Sequence, residues 1–220
     1  MSYDDAKKAA AVAAADLIQP HTDVGIGSGS TVAHFIDALS RRVRGGLVLK
    51  SVVCASQHSS EHARRERLPV KELNEVQRLA IAVDGADELD AEKRMIKGGG
   101  AALVRERIVA SASAEFMIII DESKRVSHLG KTLPVEILSF GSEVTKKKLE
   151  HLGYSGVWRE QIVTENGNFL LDLHCSTPLQ NPEKDYERIR SVPGVIDAGL
   201  FCHMAGRVII GFQNGTVKVV

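Results

Sequence analysis

Between Asp84 and Glu106 the sequence gathers the means for proton chemistry. Asp84-Gly85-Ala86-Asp87-Glu88 is followed by Lys97-Gly98-Gly99-Gly100, and then by a helix-forming segment that carries Glu106. A carboxylate can take or return a proton, and an ammonium can hold an oxygen as it becomes negative. Three consecutive glycines let the backbone pass close to a ligand. The set suits abstraction of a carbon-bound proton next to a carbonyl, with the enediolate oxygen held by fixed positive donors. A single base that returns the proton to the neighbouring carbon converts an aldose to a ketose. A hydride-shift isomerase would need carboxylate and His ligands clustered around a metal. No such cluster is evident in the sequence, so no metal is expected.

A second stretch supplies an anchor. Gly25-Ile26-Gly27-Ser28-Gly29-Ser30-Thr31 opens the apolar-periodic segment Val32 to Leu39. Strand, glycine loop and helix N-terminus in that order favour an anion, most simply a phosphate. Ser30 stands where a dinucleotide fingerprint needs its last glycine, and no Gly-Lys-Ser/Thr closes a Walker loop. A tight turn with capping hydroxyls is the alternative reading. A phosphate on this loop, helped by Lys124 and Lys7, would send the rest of a small sugar toward Asp84, Asp87, Lys97 and Glu106. Taken singly, these residues have plain structural explanations. Asp84 and Asp87 can cap turns, Ser56 and Ser59 can cap a helix, and Glu106 can be one charge beside Arg105 and Arg107.

The elements that must position these residues are those of an open α/β sheet. Apolar runs predict strands over 23–27, 47–54, 79–84 and 116–121, with short strands near Val70 and at Met95 to Lys97. Helices are expected over 4–19, capped by Asp4 or Asp5, and over 32–39, 60–67 and 101–113. The last of these puts Leu103, Val104, Ile108 and Val109 on its apolar side. Polar residues follow several of the strands, Asp121-Glu122-Ser123-Lys124 among them, and ligands of such sheets bind beyond the carboxyl ends. After about Lys131 the order becomes strand 134–138, helix 142–152, strand 157–163, an Asn166-Gly167 turn, strand 169–175, helix 181–189 and strand 195–201. That is the split, ferredoxin-like β-α-β-β-α-β pattern. A hairpin over Gln213-Asn214-Gly215 could return the chain to the first domain. The expected architecture is a Rossmann-like α/β domain over 1–130 and 205–220, with a smaller ferredoxin-like α+β domain over 131–204.

Composition sets the outer bounds. The 220 residues carry a formal net charge of zero, which argues against bulk nucleic-acid binding. The longest apolar runs are too short to cross a membrane, and the N-terminus lacks the long apolar core of a signal peptide, so a cytoplasmic protein is expected. Cys54, Cys175 and Cys202 are odd in number and widely spaced, which fits reduced thiols. Cys54 closes a strand and could lie near the ligand. His58-Ser59-Ser60-Glu61-His62 formally matches the inverted zinc-protease pattern. The segment is short and arginine-rich, and no downstream ligand stands out.

In combination, the Gly25–Thr31 loop, Asp84-Gly85-Ala86-Asp87-Glu88, Lys97-Gly98-Gly99-Gly100-Ala101-Ala102-Leu103, Glu106 and Asp121-Glu122-Ser123-Lys124 resemble the ribose-5-phosphate isomerases of the A type. The likeness runs from Lys7 to the C-terminal hairpin. It implies a cofactor-free enzyme of the non-oxidative pentose phosphate pathway that interconverts D-ribose 5-phosphate and D-ribulose 5-phosphate. It implies that Glu106 shuttles the proton between C1 and C2, that Asp84 opens the furanose ring, and that Asp87 binds hydroxyls or assists proton transfer. Lys97 and the backbone of Gly98, Gly99 and Gly100 would stabilise the enediolate. Lys7, Ser28, Gly29, Ser30, Thr31 and Lys124 would bind the phosphate end, with Gly85 and Ala86 also against substrate. A homodimer or homotetramer is implied as well. The sequence departs at Ser28, where Thr is more usual, and at Gln57-His58. Amino-sugar-phosphate deaminases and CoA transferases fit the Lys97–Glu106 module poorly. A sugar-phosphate sensor domain would lack the acids that this chain keeps.

Overall fold

The computed structural model describes residues 2–130, 132–174 and 178–220. In chain order the elements are α1 (Tyr3–Asp16), β1 (Asp23–Ile26), α2 (Ser30–Arg44), β2 (Ser51–Cys54), α3 (Gln57–Arg65), β3 (Ile81–Asp84), β4 (Glu88–Leu89), β5 (Met95–Ile96), α4 (Leu103–Ser111), β6 (Phe116–Asp121), β7 (Leu133–Ile137), α5 (Ser142–His151), β8 (Ser155–Val163), β9 (Phe169–His174), α6 (Pro182–Arg190), β10 (Val195–Ala198), β11 (Leu200–Phe201), β12 (Val208–Gly211) and β13 (Val217–Val219). The chain divides into a unit of Met1–Ala86, Arg105–Arg125 and Met204–Val220, and a unit of Asp87–Val104 and Val126–His203.

The first unit is built on a six-stranded sheet in the order β13-β12-β6-β3-β1-β2. All neighbours run parallel except β13, which returns antiparallel on β12. Strands β3 and β6 are buried along their whole length, as near-continuous apolar strands of a covered parallel sheet should be. Ile26, Val83, Met117, Ile119 and Ile209 pack there with Phe35, Ile36 and Leu39 of α2. Helix α1 begins at Ser2, not at Asp4 or Asp5. The Ser2 hydroxyl accepts the Asp5 N–H at 3.2 Å, and the Asp5 carboxylate accepts the Ser2 N–H at 2.8 Å. This is a capping box, which satisfies two donors that the helix itself leaves open. Ala6, Ala10, Ala11 and Ala14 are buried, and small side chains let α1 approach the sheet closely. A Cβ on Gly211 of β12 would sit 1.9 Å from the Ala6 carbonyl oxygen, so glycine is required there.

The second unit has a four-stranded antiparallel sheet, β10-β7-β9-β8, and follows the expected β-α-β-β-α-β order through β7, α5, β8, β9, α6 and β10. Val135, Ile137, Leu149, Leu171, Leu173 and Ile189 form its core. A separate three-stranded sheet, β11-β5-β4, belongs to the same unit. The segment expected as one strand over 195–201 is therefore divided between two sheets. Gly199 makes the crossing: its N–H donates to the Pro134 carbonyl and its carbonyl accepts the Lys97 N–H, both at 2.8 Å. β5 pairs with β11, and residues 87–104 group with the second unit. Ile108, expected on the apolar side of α4, is exposed, whereas Val109 is buried.

Glu136 is a buried acid in this core. Its Oε1 accepts from the Thr164 hydroxyl and from the amides of Asn166 and Asn168 at 2.8–3.0 Å. Removing it strands three donors, so Glu136→Ala is expected to cost about 3 kcal/mol of stability. Urea unfolding would check this, and a midpoint within error of wild type would refute it.

Candidate active site

In the first unit, Asp84 ends β3 and is 1% exposed. Its Oδ1 accepts the N–H groups of Ser28 at 3.1 Å and Gly85 at 2.7 Å. Gly27 lies against this carboxylate so closely that a Cβ would fall 1.9 Å from it. That approach, rather than any dinucleotide, explains the second glycine of the loop. Ser59 donates its hydroxyl proton to the Gly27 carbonyl at 2.7 Å, and the Ser28 and Ser56 hydroxyls lie 3.1 Å apart. Ser56 is the N-cap of α3 and accepts the Ser59 N–H. Ser56 thus caps the helix, as expected, and both serines also bind the 27–28 turn.

Helix α2 starts at Gly29, which has φ of +108° and brings no side-chain cap of its own. The N–H groups of its first turn and the positive end of its dipole are suited to an anion. Ser30 and Thr31 stand on that turn, and Lys7 of α1 reaches it, its Nζ donating to Ser30 Oγ at 3.1 Å. Lys124 lies in a short 3₁₀ turn after β6. Asp121 caps this turn by accepting the Ser123 N–H at 2.9 Å, and the Glu122 carboxylate accepts the Gln213 N–H at 2.9 Å. The C-terminal hairpin is thereby tied to the lysine turn. Glu106 stands in the first turn of α4 and is 4% exposed, unlike a member of a solvated charge cluster.

In the second unit, Lys97 follows β5 and is 3% exposed, its ammonium 5.5 Å from the centre of the Phe201 ring. The chain then turns through Gly98 at φ +107° and Ala101 at φ +61°. A Cβ on Gly98 would press on Leu103 and Pro134, at 2.8 and 3.0 Å. Asp87 is exposed and accepts the Gly99 N–H at 2.8 Å. Gly99 and Gly100 are exposed. A residue that the sequence did not single out, Arg159 of β8, donates to the carbonyls of Gly98 and Gly99. Arginine on an alternating strand reads as a solvent-facing residue, and no signal in the sequence pairs it with the loop.

Cys54 lines a polar cavity of about 500 Å³ with Ser56, Gln57, Arg64, Lys71 and Arg105. Burial pushes its thiol up to about 12, which makes it a poor nucleophile. Cys175 lies outside the described residues. Gln57 and His58 form the exposed first turn of α3 rather than a loop. The inverted zinc pattern does not assemble as written. Among the described residues, His62 instead groups with Asp37 and Glu66. His62 Nε2 lies 2.7 Å from Asp37, while Ser40 and Arg44 donate to Glu66 at 2.6 and 3.0 Å. No helix among the described residues is long and apolar enough to cross a membrane.

A parallel sheet with buried acids at a strand end and a helix start, beside a glycine loop suited to an anion, is the scaffold of an enzyme acting on a small anionic substrate. Residues 51–215 match the family described as ribose 5-phosphate isomerase A (phosphoriboisomerase A). The ribose-5-phosphate isomerase A of Actinobacillus succinogenes is 45% identical over 98% of both chains. That of Protochlamydia amoebophila is 43% identical over 98% of this chain and 95% of its own. The crystal structure of ribose 5 phosphate isomerase A from Neisseria gonorrhoeae superposes with a TM-score of 0.94 at 38% identity, over 100% of this chain and 97% of the other. The chain belongs to the ribose 5-phosphate isomerase A family, the aldose–ketose isomerases of the pentose phosphate pathway.

Proposed function

We propose that the chain interconverts D-ribose 5-phosphate and D-ribulose 5-phosphate through an enediolate, with Glu106 as the base that carries the proton between C1 and C2. The observation that carries this assignment is the burial of Glu106 at the first turn of α4. A carboxylate shielded from water keeps the proton it has taken and can return it to the adjacent carbon. Asp84 is the group that opens the furanose ring. Its support is its burial at the end of β3 and its bond to the phosphate-loop backbone at Ser28. Lys97 and the N–H groups of the glycine loop stabilise the enediolate, and Asp87 binds substrate hydroxyls. Ser28, Gly29, Ser30, Thr31, Lys7 and Lys124 hold the phosphate end, and Gly85 and Ala86 contact the sugar. A homodimer or homotetramer in the cytoplasm completes the proposal, and sedimentation at working concentration tests the assembly.

Incubating the protein with ribose 5-phosphate in the presence of a chelator should yield ribulose 5-phosphate. Absence of product would overturn the activity, and product only after metal addition would overturn the cofactor-free route. Lys124→Ala is expected to raise KM by about 10-fold or more, with a smaller effect on kcat, because its partner is remote from the reacting carbons. Steady-state kinetics decide it, and an unchanged KM removes Lys124 from the phosphate site.

A further inference from the structure

We propose that Arg159 is a positioning residue for catalysis: it fixes and polarises the peptide groups of the Gly98–Gly100 loop, so that the Gly99 N–H holds Asp87 and the Gly100 N–H is presented to the enediolate. The inference rests on the proposed isomerase function. Arg159 Nη1 donates to the carbonyl oxygens of Gly98 at 2.9 Å and Gly99 at 3.1 Å. The guanidinium is itself held from behind. Its Nε and Nη2 donate to the two carboxylate oxygens of Asp172 on β9, at 2.9 and 2.5 Å. This bidentate geometry leaves it little rotational freedom.

A planar trans peptide points its N–H opposite its C=O. Anchoring the Gly98 carbonyl therefore aims the Gly99 N–H the other way, and that N–H meets Asp87 at 2.8 Å. Anchoring the Gly99 carbonyl likewise aims the Gly100 N–H away from Arg159. A cation hydrogen-bonded to a carbonyl also draws electron density through the peptide and strengthens the N–H at its far end as a donor. The glycines need such a clamp. Side-chain-free backbone with φ of +107° at Gly98 has many accessible conformations, and an oxyanion holder works only when its donors are fixed before charge develops.

The test compares wild type with Arg159→Met, Arg159→Lys and Arg159→Ala. Three quantities are read: kcat and KM for ribose 5-phosphate, and the dissociation constant of 4-phosphoerythronate. The carboxylate of that four-carbon acid mimics the enediolate. Arg159→Met should lower kcat by about 10- to 100-fold, less than loss of a direct oxyanion donor, and leave KM within about twofold. Binding of 4-phosphoerythronate should weaken by a similar factor. Arg159→Lys, which keeps the charge but not the fork, should lie between wild type and Met, and it provides the reading should the Met variant not fold. Guanidinium ion added to Arg159→Ala should restore part of kcat. Unchanged kcat and analogue affinity overturn the proposal, as does a fall in kcat without weaker analogue binding and without guanidinium rescue. An inactive wild type would instead overturn the isomerase function itself.

Discussion

Glu106→Gln is expected to lower kcat by about 10²–10⁴-fold, equivalent to roughly 3–5.5 kcal/mol of barrier, while KM changes little. Gln keeps the shape of the side chain and its capacity for hydrogen bonds but cannot accept a proton from carbon. Because Glu106 is buried at the start of α4, an isosteric replacement should leave the fold intact. Circular dichroism and thermal unfolding check that condition. The phosphate contacts assigned to the other end of the substrate are untouched, which is why binding should persist. Near-normal kcat would remove Glu106 from the role of base.

Lys97→Met should reduce kcat by about 10²–10³-fold, the range for loss of one preorganised donor to a developing oxyanion. Lys97 is 3% exposed and its ammonium lies near the face of Phe201. Met has a similar length without the ammonium, so the substitution removes the charge while keeping most of the shape. Circular dichroism checks that the variant is folded. Turnover within about threefold of wild type would show that Lys97 does not stabilise the enediolate.

The strands whose ends carry polar groups were readable from sequence because a parallel strand covered on both faces is an uninterrupted apolar run. Val83 and Asp84, or Ile120 and Asp121, mark the change from apolar run to acid within one residue. The second unit was readable from its alternation and its Asn-Gly turn. What escaped depends on contacts between residues far apart in the chain. Gly199 looks like any residue inside a strand, and only the Lys97 and Pro134 backbones on either side of it divide β10 from β11. Arg159 is 60 residues from the Gly99 carbonyl it binds, and its periodicity is that of an exposed position. Residue type alone does not single out Ser2, because Asp4 and Asp5 are equally good caps. The choice among them is made by the reciprocal bonds of Ser2 and Asp5. For Glu106, periodicity gave no hint of burial, and only its distance along the chain from the glycine loop drew notice.

The placement of β12 has a consequence for the order in which the chain can be assembled. Val208 pairs with Ile118 and Ile210 with Ile120, although residues 126–203 of the second unit intervene in sequence. During synthesis the flank of β6 must wait, with its hydrogen-bonding groups open, until residues 208–211 have been added. The second unit can form in that interval from sequence already made, whereas the sheet that carries Asp84 cannot close. Strand β12 thus seals a bare edge prone to pairing with other chains. In a growing chain, catalytic competence follows the addition of β12, and the vulnerable period is the time taken to translate residues 122–211.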